Sequence, residues 1–240
     1  MGPNWAHLVR FIGEEDGQTH LGEVDPNKYP DVGIAILNGE RVAVKLIKGS
    51  IFDGRVTDTT MHIARLLAPI GIEEVPIIRC MGLNYRDHAK EANMPIPDVP
   101  VVFIKPRTAL NGPHPAKINV PKIAQDGSSD YEAELSIILS KTGRDIPESE
   151  AMDSRTASGP FQKALTDLVH WARSLCLPPP SAPRIICKLE LSIMAMWCKT
   201  QTLGPGIGAM RNPKIVLKHG DDMRVEIEKI GTLINEVYYE

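Results

Sequence analysis

Short runs that are apolar, or alternate apolar with polar residues, each stopped by a proline or glycine, restrict this chain to a strand-built fold. Val101 to Lys105 (VVFIK) is an apolar strand ended by Pro106, and Arg41 to Ile47 (RVAVKLI) alternates with period two. That period sends successive side chains to opposite faces of a sheet, and a proline cannot donate to the ladder. Glu132 to Ser140 (EAELSIILS) starts charged, finishes apolar and is closed by a turn at Gly143. Trp5 to Ile12, Val32 to Leu37 (VGIAIL) and Val75 to Met81 give three more strands. Near the C-terminus, Lys214 to Lys218, the turn His219-Gly220-Asp221-Asp222 and Met223 to Glu228 predict a β-hairpin. Gly231 interrupts that pattern and Leu233 to Tyr239 finishes it. Thr60 to Leu67 has a short helical pattern, with Met61, Ala64, Leu66 and Leu67 on one face. The expectation is a mainly β fold with α+β elements: a small N-terminal β subdomain at 1–75 and a larger domain at 76–240.

Composition removes several classes of function. The 27 basic and 30 acidic residues leave a net charge of −3 with no basic block, which argues against nucleic acid as a partner. No apolar run has the roughly 20 residues of a membrane helix, so no membrane partner is expected. No targeting signal is visible, and Cys80, Cys176, Cys187 and Cys198 have no C-x-x-C spacing. A cytoplasmic address is expected, with a mitochondrial one left open.

Three motifs could carry chemistry. Glu132 and Glu134, two apart on a strand, share a face, and two carboxylates that close repel unless a cation lies between them. An all-oxygen pair suits Mg²⁺, Mn²⁺ or Ca²⁺ better than zinc. A solvent-exposed strand face is the commoner reading of the same spacing. His88 and Glu91, three apart where a loop enters a short helix, would put a carboxylate beside an imidazole, an acid–base pair suited to neutral pH. A surface ion pair fits that spacing equally well. Gly204-Pro205-Gly206-Ile207-Gly208 is a glycine-rich segment whose plainest reading is a loop.

Together, four segments in order closely resemble the fumarylacetoacetate hydrolase family: RCMGLNYRDHAKEA (Arg79 to Ala92), VVFIKPRTALNGP (Val101 to Pro113), DYEAELSIIL (Asp130 to Leu139) and GDDMRVEIEKIGTLINEV (Gly220 to Val237). The resemblance implies a twisted β-roll or sandwich, usually a homodimer, with a divalent cation at its mouth. It implies hydrolysis of C–C bonds in 1,3-diketo acids such as acylpyruvates or fumarylacetoacetate, or the related tautomerisation or decarboxylation of oxaloacetate-type acids. By the same resemblance Glu132 and Glu134 are two of three carboxylate metal ligands. His88 and Glu91 are the catalytic dyad on the loop over the substrate, with His88 activating water.

Between the third and fourth segments the likeness stops. The family continues with GYTxxNDVSxR, whose Asp is the third ligand, then QWxxxKxFDxFxPLGP, whose Lys holds substrate, then NGxxxQxxxT. None is present; Asp153, Asp167 and Glu190 lack the surrounding motif. The stretch Ala157 to Leu203 holds only two of the chain's 30 acids, Asp167 and Glu190, yet three of its four cysteines. Reading the codons of Ala157 to Ser174 one frame over, with synonymous choices the code allows, spells QWSFSKGFDGFGPLGPV. The same shift over Ile193 to Leu203 spells NGDVVQDANT. Residues 157–203 are therefore read as out-of-frame translation of an ordinary family gene. The alternative to an active enzyme is then a catalytically impaired family fragment.

Overall fold

The computed structural model describes residues 4–83, 89–90, 93–99, 101–131, 134–139, 163–164, 193–197, 213–227 and 230–240. Four antiparallel strands, β1 (Leu8–Gly13), β2 (Thr19–Glu23), β3 (Ala43–Lys48) and β4 (Arg55–Leu67), close a small barrel in that order. Phe11, Val44, Met61 and Ile63 fill it, and Tyr29 pins its rim. The Tyr29 hydroxyl donates to the Arg41 carbonyl and accepts from the Ala43 amide, each at 3.2 Å.

Two local expectations from the sequence are corrected in this barrel. Thr60 to Leu67 is not helical but the second half of the long strand β4. Its β-branched residues suit a pleated surface, and pairing with both β1 and β3 is what closes the barrel. Met61 and Ile63 point inward with period two, while Ala64 is exposed. Val32 to Leu37 is not a strand but a short helix, α1. Asp31 sets it: its carboxylate accepts from the Ile34 amide at 3.0 Å, a helix N-cap directly after Pro30. Propensity for a strand lost to capping chemistry and to the fit of Ala35 over the barrel.

A five-stranded sheet follows, in the order β6 (Val101–Lys105), β5 (Ile78–Gly82), β10 (Ile193–Trp197), β8 (Glu134–Ile138), β9 (Lys163–Ala164). β10 runs parallel to β5 and antiparallel to β8. One core joins barrel and sheet: Trp5, Ile47, Ile51, Ile70 and Val75 pack with Ile78 and Cys80.

A three-stranded sheet places β12 (Gly231–Tyr239) between β11 (Asp222–Ile227) and β7 (Lys117–Val120). The C-terminal hairpin therefore lies one strand later than the sequence pattern placed it. β11 pairs with β12, and Lys214 to Lys218 forms no strand. Leu217 is instead buried, its amide bonded to the Ser129 carbonyl. Gly231, expected to break the pattern, opens β12 with φ +120°, a conformation that glycine adopts without strain. The hairpin docks on α1: the Thr232 hydroxyl donates to Asp31 at 2.5 Å, and Gly33 lies against the Thr232 carbonyl.

The described residues are thus mostly β with few helices. Among them no helix is long and apolar enough to cross a membrane.

Candidate functional site

β5 delivers the chain to the segment carrying His88 and Glu91. Its last residues are followed by Leu83, which takes φ +52°, and Asn93 on the far side of that segment takes φ +51°. These are the non-glycine residues with left-handed backbone among those described. A leucine there is uncommon and costs conformational energy. Asn93 ends a short helical stretch: its amide bonds the Lys90 carbonyl and that of Met94 bonds the Ala89 carbonyl. Ala89 is buried and anchors that stretch. Sequence reasoning did not single out Leu83 or Asn93, although Asn directly after a short helix was a readable signal.

β8 delivers Glu134. The register fixes where: Cys80 of β5 stands opposite Ala195 of β10, Ala195 opposite Ser136 of β8, and Trp197 opposite Glu134. Continuing the parallel pairing by two residues sets Gly82 level with Trp197 and hence with Glu134. The end of β5 that leads toward His88 and the start of β8 lie at one end of the sheet. They are two strand spacings apart, about 10 Å. Cys80 and Ser136, one row inward, are buried. The opposite end of the sheet carries Lys105, level with Ile78.

His88, Glu91 and Glu132 lie outside the described residues, and for Glu134 the description extends to its backbone position. The stretch read as out of frame is described only at β9 and β10. Among the described residues no three His, Cys, Asp or Glu side chains form a group that could hold a metal. The imidazole–carboxylate pairs that are described lie elsewhere, on the barrel: His20 Nε2 with Asp16 at 2.8 Å and His62 Nδ1 with Glu15 at 2.7 Å.

Comparison with known proteins gives the frame for these observations. The fumarylacetoacetate (FAA) hydrolase C-terminal family matches residues 77–154. A caffeoylpyruvate hydrolase of Neonothopanus nambi is 33% identical over 278 aligned positions, covering 98% of this chain and 94% of that protein. The human mitochondrial oxaloacetate tautomerase FAHD2A is 26% identical, covering 96% of this chain and 87% of that one. Among solved structures, a 2-hydroxyhepta-2,4-diene-1,7-dioate isomerase from Mycobacterium marinum aligns over 98% of both chains with TM-score 0.60 and 20% identity. The fumarylacetoacetate hydrolase of Exiguobacterium antarcticum aligns over 97% of this chain with TM-score 0.53 and 22% identity. These two likenesses concern the fold alone.

Two details bear on the stretch read as out of frame. The family match ends at residue 154, just before it. The alignment with the caffeoylpyruvate hydrolase has more positions than this chain has residues, so that relative carries segments this chain lacks. From the coverage and identity of that relative, the chain belongs to the fumarylacetoacetate hydrolase family.

Proposed function

We propose that the catalytic framework in this chain is that of a divalent-metal-dependent hydrolase of C–C bonds in 1,3-diketo acids. The supporting observation is the sheet register, which sets the start of β8 and the outgoing end of β5 at one end of the sheet. The nearest chemistry among the relatives quoted is hydrolysis of an acylpyruvate, as the name of the 33% identical protein states.

In this reading Glu132 and Glu134 hold the cation. Two carboxylates form an all-oxygen donor set, which fits Mg²⁺, Mn²⁺ or Ca²⁺. When bound, the cation supplies Lewis-acid polarisation of the keto-acid oxygens. The chain's own residues do the rest. His88 takes a proton from water, and Glu91 orients the imidazole and raises its basicity. Leu83 and Asn93, both with left-handed backbone, flank this pair in sequence. The same pair could instead move a proton between carbon and oxygen of an oxaloacetate-type acid, the chemistry named for FAHD2A. We further assign a twisted β-roll at 76–240, a small N-terminal subdomain at 1–75, a homodimeric assembly and a cytoplasmic or mitochondrial address to this reading.

The test follows the ultraviolet absorbance of an acylpyruvate with Mg²⁺ or Mn²⁺ present, then with chelator. Metal-dependent loss of absorbance that disappears in His88→Ala supports the hydrolase. Conversion of enol to keto oxaloacetate without cleavage supports the tautomerase. Metal binding unchanged in Glu134→Ala removes the assigned ligand.

A further inference from the structure

A cavity of about 110 Å³ lies where the barrel meets α1 and the C-terminal hairpin. Along β1, Val9 and Phe11 are buried inside the barrel, so Leu8 and Arg10 lie on its outer face. Arg10 stands opposite Leu67 in the β1–β4 ladder, which puts Leu67 on that same face. Leu8, Arg10 and Leu67 line the cavity together with Val32 of α1 and Leu233 of β12.

The lining is mostly aliphatic and includes no aspartate or glutamate; Arg10 carries its one charge. Among the described residues the Arg10 guanidinium has no ion-pair partner. It makes a single hydrogen bond, long at 3.4 Å, from Nη1 to the Ala68 carbonyl. Glu74 is close by, since a Cβ built on Gly71 would lie 3.0 Å from Glu74 Oε2 and 3.4 Å from Arg10 Nη2. That oxygen, however, accepts from the Gly71 amide at 2.7 Å. The polar side chains that share the lining are already engaged. Asn111 Nδ2 donates to the Lys117 carbonyl, its Oδ1 accepts from the Gly112 amide, and the Thr232 hydroxyl donates to Asp31. A guanidinium offers five N–H donors in a fork that matches a carboxylate, so most of the donors on Arg10 are left for a ligand.

We propose that this cavity binds a small organic carboxylate, its carboxylate on Arg10 and its aliphatic body against Leu8, Leu67, Val32 and Leu233. The volume limits that body. An apolar cavity of about 150 Å³ takes benzene, so one of this size takes about four carbons. The lining residues include none from β5 or β8, so the ligand bridges barrel and hairpin, independently of the metal and chemistry assigned above.

Isothermal titration of the whole chain with isovalerate tests it, in chelator so that no divalent cation binds the acid. The expected result is saturable binding in the millimolar range, weakened at least about tenfold in Arg10→Gln with circular dichroism unchanged. Isovaleramide, which lacks the charge, and acetate, which lacks the branched body, should each bind the wild type at least about tenfold more weakly. Methyl resonances of Leu67 and Leu233 in the wild type should shift with the same midpoint, which locates the ligand even if Arg10→Gln fails to fold. Three results overturn the assignment to this cavity: no saturation by about 50 mM isovalerate, undiminished binding in a folded Arg10→Gln, or methyl resonances that stay in place. Isovaleramide or acetate binding as tightly as isovalerate overturns the ligand class.

Discussion

Two buried contacts show how much depends on single residues where the C-terminal hairpin meets the rest. Gly33 sits in α1, where glycine costs helix stability relative to alanine. Yet a Cβ built there would stand 1.9 Å from the Thr232 carbonyl oxygen. Sterics therefore outweigh propensity, and Gly33→Ala should destabilise by about 1–3 kcal/mol in denaturant unfolding. A gain of stability would show that α1 does not rest on the hairpin. Asn235 makes the complementary case. It is buried on β12, and its Nδ2 donates to the carbonyls of Gly112 at 2.9 Å and Ala116 at 2.8 Å. Asn235→Ala leaves both acceptors unpaired, at a cost of about 1–3 kcal/mol. Asn235→Asp should cost more, because it turns a carboxylate oxygen toward two carbonyls in the same buried place. Equal stability of the two variants in thermal melts would reject that account.

At the scale of elements, the barrel's turns are fastened by carboxylates. Glu15 is held below its usual carboxylate range first by the hydrogen bond with the His62 ring, and Asp16 first by the Gln18 backbone amide and then by the His20 ring. Asp53 is lowered by the hydroxyl and amide of Ser50. A carboxylate with a lowered folded pKa adds stability that is full above the unfolded value and is lost as pH falls through the folded one. Protection of the Gln18, Ser50 and His62 amides should therefore hold at neutral pH and drop once the pH passes below the ordinary carboxylate range. Hydrogen exchange corrected for intrinsic rate measures this, and flat protection into strong acid would exclude these bonds as fasteners. The same turns explain which elements the sequence disclosed. β6 was legible to the residue because Val101 to Lys105 ends at Pro106, a stop written in covalent chemistry. α1 was hidden because VGIAIL has strand composition and only the Asp31 cap and its packing make it helical. β4 was hidden because Met61, Ala64 and Leu67 fall at helical spacing by coincidence, and barrel closure decided the outcome. At the site, the segments bearing His88 and Glu134 were legible as motifs. That the outgoing end of β5 and the start of β8 lie at one end of the sheet was not, since it depends on β10 lying between them.

For the whole molecule, the decisive question is what β10 is. Ile193–Trp197 lies in the middle of the sheet, pairing on one side with β5 and on the other with β8. It also lies in the stretch whose neighbouring frame spells the family's NGxxxQxxxT motif. On the out-of-frame reading, these residues were never selected for alternation or packing in this sheet, and local pattern and global fold would disagree there. The motifs that, by the family resemblance, would supply a third carboxylate and a substrate lysine are absent from the sequence as well. In the proposed reading, two carboxylates and water would bind a divalent cation more weakly than three carboxylates, and without the lysine a keto acid would lose its positioning cation. Purified protein of this sequence should therefore hydrolyse an acylpyruvate at least on the order of a hundredfold more slowly than the caffeoylpyruvate hydrolase it resembles. Sequencing the genomic DNA and transcript over codons 150–210 should reveal the motifs in the adjacent frame. If the nucleotides encode no such motifs in any frame, or if turnover matches that of the relative, then residues 157–203 are a genuine part of the fold and other groups complete the site.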